Sequence, residues 1–317
     1  PGEAGVVAMR ALARHLGRQR AWDLIELRDM PAGGAAEALV EEAAALGHAT
    51  GRWLAMESPY IDLTSAPAVP GLSPGLHATS KKFRAKLAAY RRQLEAGGET
   101  VKLVRARWRD EPELRAQLAE FYRFEAAGWK GRQGSSVLAR PGARAFYDLA
   151  GVAMAREGWL VLHRLELGAH RGTRAAGALG PAPTKVLAMG YGLAHRGCFY
   201  ALKWAYDEAH AHARPGQLLV QTMLVEDEDT ANPVRRFDFT GSDAPYKQKW
   251  TKTRHPHSYL YIFRRGWRGA GLHSLKFVWT PRLQRWARRM AAGGSPLHAP
   301  TPRCGLGNEE TCRQAAP

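Results

Sequence analysis

The chain has 317 residues, of which 45% are hydrophobic and 24% are charged. This balance is typical of one large globular domain or two smaller ones, and it argues against disorder throughout. No run of apolar residues approaches the roughly 18 to 20 that a membrane helix needs, and the start, Pro1-Gly2-Glu3, does not open a signal peptide. We therefore expect a soluble, cytoplasmic protein with no integral membrane segment. Its 46 Lys and Arg against 29 Asp and Glu give a formal charge of +17, which predicts attraction to RNA, an anionic membrane surface or a phosphate-rich cofactor.

Cysteines and histidines indicate neither a disulfide framework nor a metal site. The sequence has three cysteines: Cys198, Cys304 and Cys312. They are few, odd in number and without CxxC spacing. Two pairs of histidines are two residues apart: His210 with His212, and His255 with His257. Neither pair has an acidic or thiol partner at ligand spacing, so we predict no metal. We interpret Cys198, inside an apolar strand, as a buried structural thiol.

The first third of the chain predicts short strands and helices. Strands are predicted over 22–27 and 52–56, a helix over 35–46 and extended chain over 58–63. Five Pro and Gly residues between positions 67 and 75 then interrupt regular structure.

A basic helix is predicted over 81–95, with Thr79 or Ser80 as its cap and Gly97-Gly98 as its end. One face carries the apolar residues Phe83, Leu87, Tyr90 and Leu94. The remaining faces are rich in Lys and Arg, which favours a solvated surface and leaves RNA binding as the alternative.

The rest of the chain alternates helices with strands. Strands are predicted over 100–108, 159–167, 174–179, 186–194, 198–204, 235–240 and 258–263, and helices from Pro112, from Pro141, over 217–226 and over 281–290. The helix from Pro141 is expected to bury Phe146, Leu149 and Ala153, and residues 128–131 are expected to form a loop. This order predicts an α/β (α+β) fold with a mixed, largely antiparallel sheet flanked by helices.

Three segments carry groups suited to chemistry. Pro215-Gly216 precedes a helix, whose first N–H groups could bind an anion, although Pro at that position is also ordinary helix initiation. Asp207 and Asp238 each follow an aromatic strand, where a carboxylate can accept a proton or, alternatively, cap a turn. Tyr246-Lys247 supplies a proton donor and a cation that could equally be surface groups.

Taken in order, these motifs resemble the C-terminal signature of the CelD-type (cellulose-biosynthesis) GNAT acyltransferases. The resemblance rests on Tyr206-Asp207, Pro215-Gly216, Phe237-Asp238-Phe239 with Gly241, and Tyr246-Lys247 with Trp250. It extends over about 80–263 and includes Ser80 to Arg84 and Trp129-Lys130. It implies a GNAT fold related to the Fem peptidyltransferases, which carry two GNAT-like units. It therefore implies a reduced N-terminal unit over 1–78, a basic connection over 79–111 and a catalytic domain over 112–290. The polar, Pro-rich composition of the last residues separately predicts a disordered tail over 291–317.

The resemblance also implies site residues. GNAT enzymes bind acyl-CoA in a V-shaped opening between two strands, with the pyrophosphate on a loop that leads into a helix. By position this loop and helix start are Arg214, Pro215, Gly216, Gln217 and Leu218. The sequence lacks the fuller Gly-x-Gly form of many GNAT members, and Fem relatives use aminoacyl-tRNA in place of acyl-CoA.

An amine can attack a thioester directly, so the protein must position the amine, remove a proton and stabilise the oxyanion. We expect Asp207 or Asp238 to serve the amine and Tyr246 to protonate the departing thiolate. The residues expected to contact substrate are Glu125, Trp129, Lys203, Tyr206 and Lys247.

Three functions follow from this interpretation. The first is an acyl-CoA-dependent N- or O-acyltransferase with a small-molecule or polysaccharide-linked amine as acceptor. The second is a tRNA-dependent aminoacyl or peptidyl transferase, favoured by the Fem kinship and the charge of +17. The third is a non-catalytic basic binding module on a degenerate GNAT scaffold, marked by salt-sensitive binding without turnover.

Overall fold

The computed structural model describes residues 2–64, 72–169, 184–226 and 233–292. These residues form two compact units. The first contains the chain up to Ser58, Gly241–Ala244 and the segment from Arg254 onward, and the second contains Pro59–Thr240 and Pro245–Thr253. This division differs from the predicted boundaries, because a late strand returns to the N-terminal unit and the basic helix and strand over 79–111 belong to the second unit.

Eight strands occur in the described ranges: β1 (Leu24–Pro31), β2 (Ala49–Asp62), β3 (Glu99–Arg105), β4 (Leu160–Ala169), β5 (Thr184–His195), β6 (Cys198–Tyr206), β7 (Arg236–Asp238) and β8 (Arg254–Phe263). The α-helices described are α1 (Glu3–Arg18), α2 (Ala36–Ala45), α3 (Lys81–Glu95), α4 (Glu111–Ala127), α5 (Trp129–Arg132), α6 (Pro141–Arg156), α7 (Pro215–Glu226), α8 (Trp267–His273) and α9 (Thr280–Ala292). Short 3-10 turns cover Pro74–Leu76, Glu208–Ala213 and Lys247–Lys249, and a π-helical turn covers Ser274–Trp279.

The first unit is built on an antiparallel pair made from opposite ends of the chain. β1 pairs with β8, so that Leu24 lies opposite Phe263. α1 and α2 contribute Ala13 and Leu39 to a small core around Ile262. The sequence analysis did not predict α1, although Met9, Ala13 and Leu16 recur at helical spacing on the side that faces this core.

The C-terminal helical segment of the first unit is attached mainly through Phe277. The Phe277 ring lies 5.4 Å from Trp53, 5.6 Å from Tyr261 and 6.0 Å from Phe263 between ring centroids. Gly51 makes this approach possible, because a Cβ built on Gly51 would lie 2.2 Å from the Phe277 ring.

We expect Gly51→Ala to destabilise the first unit by about 1–3 kcal/mol, since the added methyl group overpacks against Phe277. Denaturant unfolding measures the change. Gly142→Ala is the matched control, because no atom lies within 4 Å of its Cβ position. The double variant Gly51→Ala/Phe277→Leu should recover part of the loss, and a Gly51→Ala variant as stable as the parent would contradict this account.

The second unit contains an open, largely antiparallel sheet, as predicted. Its strand order is the end of β2, then β7, β6, β5, β4 and β3. β6 and β7 are parallel, whereas β2–β7, β3–β4, β4–β5 and β5–β6 are antiparallel. The hairpin turn at Arg196-Gly197 joins β5 to β6 between the predicted strands 186–194 and 198–204, and His195 lies opposite Cys198.

Helix α3 has the predicted bounds, cap and buried face. The Ser80 hydroxyl accepts a hydrogen bond from the backbone N–H of Phe83 at 3.2 Å. Phe83, Leu87 and Leu94 are buried, and the Phe83 ring packs edge-on against Trp250 at 5.0 Å between ring centroids. Side chains that share one helix face therefore join the main core of this unit.

The predicted buried face of α6 is wrong. Phe146 and Leu149 are 61% and 70% exposed, whereas Gly151 and Val152 are buried. The reason is the close approach of α4. A Cβ on Gly151 would lie 3.0 Å from the Leu118 side chain, so the smallest residue of α6 turns inward and the large ones turn out.

Two predicted segments lie outside the described residues: the strand over 174–179 and the tail from residue 293. Within the described ranges, no helix has the length and apolar character needed to cross a bilayer.

Candidate active site

The parallel strands β6 and β7 separate at one end of the second unit. Their pairing runs from Cys198 opposite Arg236 to Tyr200 opposite Asp238. β7 ends there, whereas β6 continues to Tyr206. Along this side of β6, no described strand pairs with the residues after Tyr200. The end of β6 therefore has an open edge that can accept a ligand.

A tight turn holds the point of separation. The Asp238 carboxylate accepts a hydrogen bond from the backbone N–H of Thr240 at 2.8 Å, and the Thr240 hydroxyl donates to the carbonyl of Ala201 at 2.5 Å. Thr240 has φ +48°, in the left-handed region. Asp238 is only 3% exposed. The predicted site residue Asp238 therefore lies at the apex of the separation and also stabilises the turn.

Lys247 is an internal group and does not lie on the surface. Its side chain is 5% exposed, and its Nζ donates to the Thr240 carbonyl at 2.5 Å. This geometry excludes the alternative that Lys247 is a surface group, and its contact with substrate stays a prediction. The same geometry puts a buried cation next to the turn at the apex, where it supports Thr240.

Tyr246 and Trp204 lie together beside the open part of β6. Burial raises the pKa of Tyr246 to about 12, and the Trp204 side chain is hydrogen-bonded to the phenol. Because the indole N–H can only donate, it occupies an acceptor position of the hydroxyl. The Tyr246 O–H remains protonated in the neutral range and can donate to another group.

Asp207 caps the turn that follows β6. Its carboxylate accepts from the Ala209 backbone N–H at 3.0 Å and lies 2.8 Å from His210 Nδ1. Burial raises the pKa of Asp207, but the hydrogen bonds from Ala209 and His210 outweigh it and hold the pKa below its usual range. A carboxylate stabilised in this way is a weak base, so these contacts favour a structural role for Asp207.

The start of α7 lies directly after that turn. Arg214 has φ +49° and an exposed side chain, and Pro215 and Leu218 are buried. The nearest atom to a Cβ on Gly216 would be a Tyr206 ring carbon at 3.8 Å, so packing does not require glycine there. Helix starts have N–H groups without intrahelical acceptors, and Gln217 completes this first turn. The five predicted cofactor residues therefore do form a helix start.

Glu125 is the centre of a buried ion cluster. Its Oε1 accepts from Lys130 Nζ at 2.9 Å and from Lys203 Nζ at 3.4 Å, and its Oε2 accepts from the Val137 N–H at 2.9 Å. Its side chain has no exposed surface. Glu125 is therefore held by groups of the protein itself, and its contact with substrate stays a prediction. The Nζ of Lys203 also lies 5.1 Å from the Tyr147 ring centroid.

Trp129 begins the short helix α5, which replaces the predicted loop. Its backbone N–H donates to Glu208 Oε1 at 2.6 Å, and Arg132 donates to Glu208 Oε2 at 2.8 Å. Lys130 also donates to the carbonyl of Trp204 at 2.8 Å. These bonds join α5 to the end of β6, on which Tyr206 also lies.

Cys198 lies at the other end of β6. Burial raises the pKa of its thiol to about 11, so the thiol is protonated in the neutral range. Cys198 is half-buried, however, and not fully buried as predicted. A cavity of about 540 Å³ opens at this end, lined among others by Arg105, Trp159, His195 and Arg235. It is remote along β6 from the apex at Asp238 and contains none of the predicted catalytic or substrate residues.

Sequence reasoning missed the residues that support the site. The resemblance included Lys130 without giving it a role. Trp204 and Thr240 were not singled out, because partners such as Tyr246 and Ala201 are distant in sequence. His210 was considered as a metal ligand and not as a partner of Asp207, and its i, i+3 spacing from Asp207 was the one available signal of their contact.

Comparison with known proteins agrees with this geometry. Residues 81–248, more than half of the 317-residue chain, match the family model described as an acetyltransferase (GNAT) domain. No curated protein matches the chain significantly.

Among solved structures, the fold is similar to that of FemX, with 14% identity, 85% of this chain and 78% of that chain covered, and a TM-score of 0.54. The C-terminal domain of a putative lysylphosphatidylglycerol synthetase from Agrobacterium fabrum has a TM-score of 0.43 at 12% identity, with 86% and 75% of the two chains covered. At such identities the likeness concerns the fold alone. On the extent of the family match, the chain belongs to the GNAT acetyltransferase family.

Proposed function

We propose that this protein is an acyl-CoA-dependent N-acyltransferase of the CelD type that acts in the cytoplasm on a small-molecule or polysaccharide-linked amine. One observation carries the proposal: β6 and β7 separate beyond Asp238, and the free end of β6 leads through one turn into the start of α7. This arrangement suits a long, flexible donor with an acyl group at one end and phosphates at the other.

The start of α7 would hold the phosphates of the donor. Arg214 is exposed, and a Cβ on Gly216 would be in ordinary van der Waals contact with the Tyr206 ring at 3.8 Å. N–H groups at a helix start and a neighbouring guanidinium both attract phosphate. Bound acyl-CoA would supply the activated thioester, and Gln217 and Leu218 would complete the helix start beneath it.

The apex would hold the reacting atoms. Asp238 is the candidate that orients the acceptor amine and accepts its proton, because it lies where β6 and β7 separate. Asp207 lies beyond the end of β6 and is held by both Ala209 and His210. The O–H of Tyr246 would donate a hydrogen bond to the leaving sulfur. Because the pKa of Tyr246 is raised, the phenol is a weak acid and keeps its proton. A proton from solvent therefore completes the protonation of the thiolate. Trp129, Lys203 and Tyr206 would line the acceptor side.

A tRNA-dependent aminoacyl or peptidyl transferase is the second candidate. The formal charge of +17 favours it, because a strongly basic surface attracts nucleic acid without regard to sequence. Binding to an anionic polymer without any turnover would instead point to the degenerate, non-catalytic scaffold.

Thermal unfolding with acetyl-CoA, longer acyl-CoAs, free CoA and bulk tRNA at two salt concentrations tests the proposal. A ligand that binds only the folded state raises the unfolding midpoint. We expect a salt-resistant rise with one acyl-CoA. A rise with tRNA alone, followed by aminoacyl transfer that RNase abolishes, would establish the second candidate.

Arg214→Asn sharpens this test, because Asn tolerates the left-handed backbone and removes the charge. We expect acyl-CoA affinity to fall about tenfold or more, the usual effect of losing a charged hydrogen bond. Arg196→Asn is the matched control, with the same residue type and the same φ of +49° in the β5–β6 turn. Equal losses of acyl-CoA affinity in Arg214→Asn and Arg196→Asn would contradict the assignment of the phosphate site to the start of α7.

A further inference from the structure

The last described helical segment runs from Trp267 to Ala292. The first part of this segment packs on the first unit, and the side chains from Arg282 to Met290 are exposed to solvent. Phe277 packs on Trp53 and Tyr261, and Lys276 Nζ lies 4.2 Å from the Tyr261 ring centroid. Among the described residues, none covers the part of α9 from Arg282 to Met290.

The exposed part of the segment is amphipathic. Five large apolar residues, each more than half exposed, follow helical spacing: Leu275, Trp279, Leu283, Trp286 and Met290. At 3.6 residues per turn the last four fall within roughly 60° of one another around α9. Isolated helices of this length are marginal in water. A stable α9 therefore needs a surface that buries this stripe.

The charge of this segment indicates which kind of surface would cover its apolar stripe. Between Trp267 and Ala292 there are six Lys or Arg residues and no Asp or Glu. Four of them, Arg282, Arg285, Arg288 and Arg289, lie in α9 itself and are exposed. A second copy of this chain would bring another helix of the same charge and a formal charge of +17, which opposes pairing. An anionic surface is complementary.

The aromatic residues point to a lipid surface. Trp favours the boundary between acyl chains and headgroups, where its ring is apolar and its N–H is wet. Arg side chains beside such a stripe can extend towards phosphate headgroups while their stems remain in apolar surroundings. A helix with a Trp- and Leu-rich face and a strongly cationic opposite face lies in the plane of such an interface.

We propose that α9, with Leu275 and Trp279 before it, docks the protein on an anionic lipid bilayer, with Trp279, Leu283, Trp286 and Met290 inserted below the headgroups. This surface belongs to the first unit and is independent of the proposed acyltransferase chemistry, so either proposal can fail alone.

Co-sedimentation of the full chain with vesicles tests the proposal. We expect binding to vesicles of phosphatidylcholine containing phosphatidylglycerol, and much weaker binding to phosphatidylcholine alone. Trp279→Ser/Trp286→Ser should weaken binding by about a hundredfold, the effect of losing two buried apolar side chains. Arg282→Gln/Arg285→Gln/Arg289→Gln should weaken it on the order of a hundredfold, at about tenfold or less per charge.

Two controls separate this helix from general charge and general apolar exposure. Phe146→Ser/Leu149→Ser removes two other exposed apolar residues, and Lys81→Gln/Lys82→Gln/Lys86→Gln removes three exposed charges of α3. Both should change binding much less than the α9 variants. Acyl-chain-brominated lipids should quench tryptophan emission of the parent more than that of Trp279→Phe/Trp286→Phe.

Several results would overturn the proposal: no binding of the full chain to phosphatidylglycerol vesicles, unchanged binding after Trp279→Ser/Trp286→Ser, or equal losses in the controls. Self-association in light scattering that these Trp substitutions abolish, without vesicle binding, would identify a second copy as the occupant. The substituted residues are exposed, so the unfolding midpoint should stay unchanged and report that each variant is folded.

Discussion

Tyr246→Phe is expected to lower kcat about a hundredfold or more while KM for the donor changes little, as expected for a group that acts mainly in the transition state. The substitution removes only the hydroxyl that Trp204 holds in place. Steady-state kinetics with the acyl-CoA found by thermal unfolding measures the effect.

Tyr191→Phe is the matched control for this prediction. Tyr191 is a buried tyrosine of β5 whose hydroxyl has no hydrogen-bond partner in the described structure, so its loss should be neutral or stabilising. If Tyr246→Phe keeps the parent kcat, the phenol has no role in the reaction. If both variants lose activity equally, the effect is one of packing.

Glu125→Gln is expected to destabilise the second unit by about 3–5 kcal/mol. It removes the one carboxylate that accepts from both Lys130 and Lys203, and buried charges without a partner carry a penalty of this size. Denaturant unfolding measures the loss. The double variant Glu125→Gln/Lys130→Met should lose less than the sum of the two single variants, because it also removes one of the stranded cations.

Glu111→Gln is the control for this ion cluster. Glu111 pairs with Arg115 and Arg156 at the surface, where solvent screens the charges, so we expect a much smaller change. Equal losses at positions 111 and 125 would contradict the account of Glu125 as the centre of a buried cluster.

The same cluster predicts how stability depends on pH. Burial raises the pKa of Glu125, but the charges of Lys130 and Lys203 outweigh it and hold the pKa below its usual range. A lowered folded-state pKa contributes stability above the unfolded value, near 4.5, which is lost as the pH falls through the folded value. The difference in stability between the parent and Glu125→Gln should therefore shrink in acid.

Local elements were predictable because their determinants lie within them. The helix Lys81–Glu95 contains its own cap and its own apolar face, so its bounds follow from a short window of sequence. The hairpin of β5 and β6 was predictable for the same reason, since a Gly turn joins two apolar runs. The inward face of α6 was not, because the close contact of Gly151 with Leu118 depends on a neighbouring helix.

The candidate site was predictable as a set of residues but not as a set of roles. The ordered motifs identified the GNAT family and the start of α7, and both need only sequence order. The roles of Asp207, Lys247 and Glu125 depend on what each side chain touches. Their partners include Ala209, Thr240 and Lys203, and only folding reveals whether such groups are near and whether solvent reaches them.

The sequence by itself determined the family, the largely antiparallel mixed sheet and most local elements, because caps, turns and periodic apolar positions act over a few residues. Only the tertiary structure decided that Leu24 pairs with Phe263, that β6 leaves β7 after Tyr200, and that residues 282–290 of α9 are exposed among the described residues. These features depend on contacts between residues far apart in the chain, and the pattern within a single segment carries no information about which distant surface it will meet.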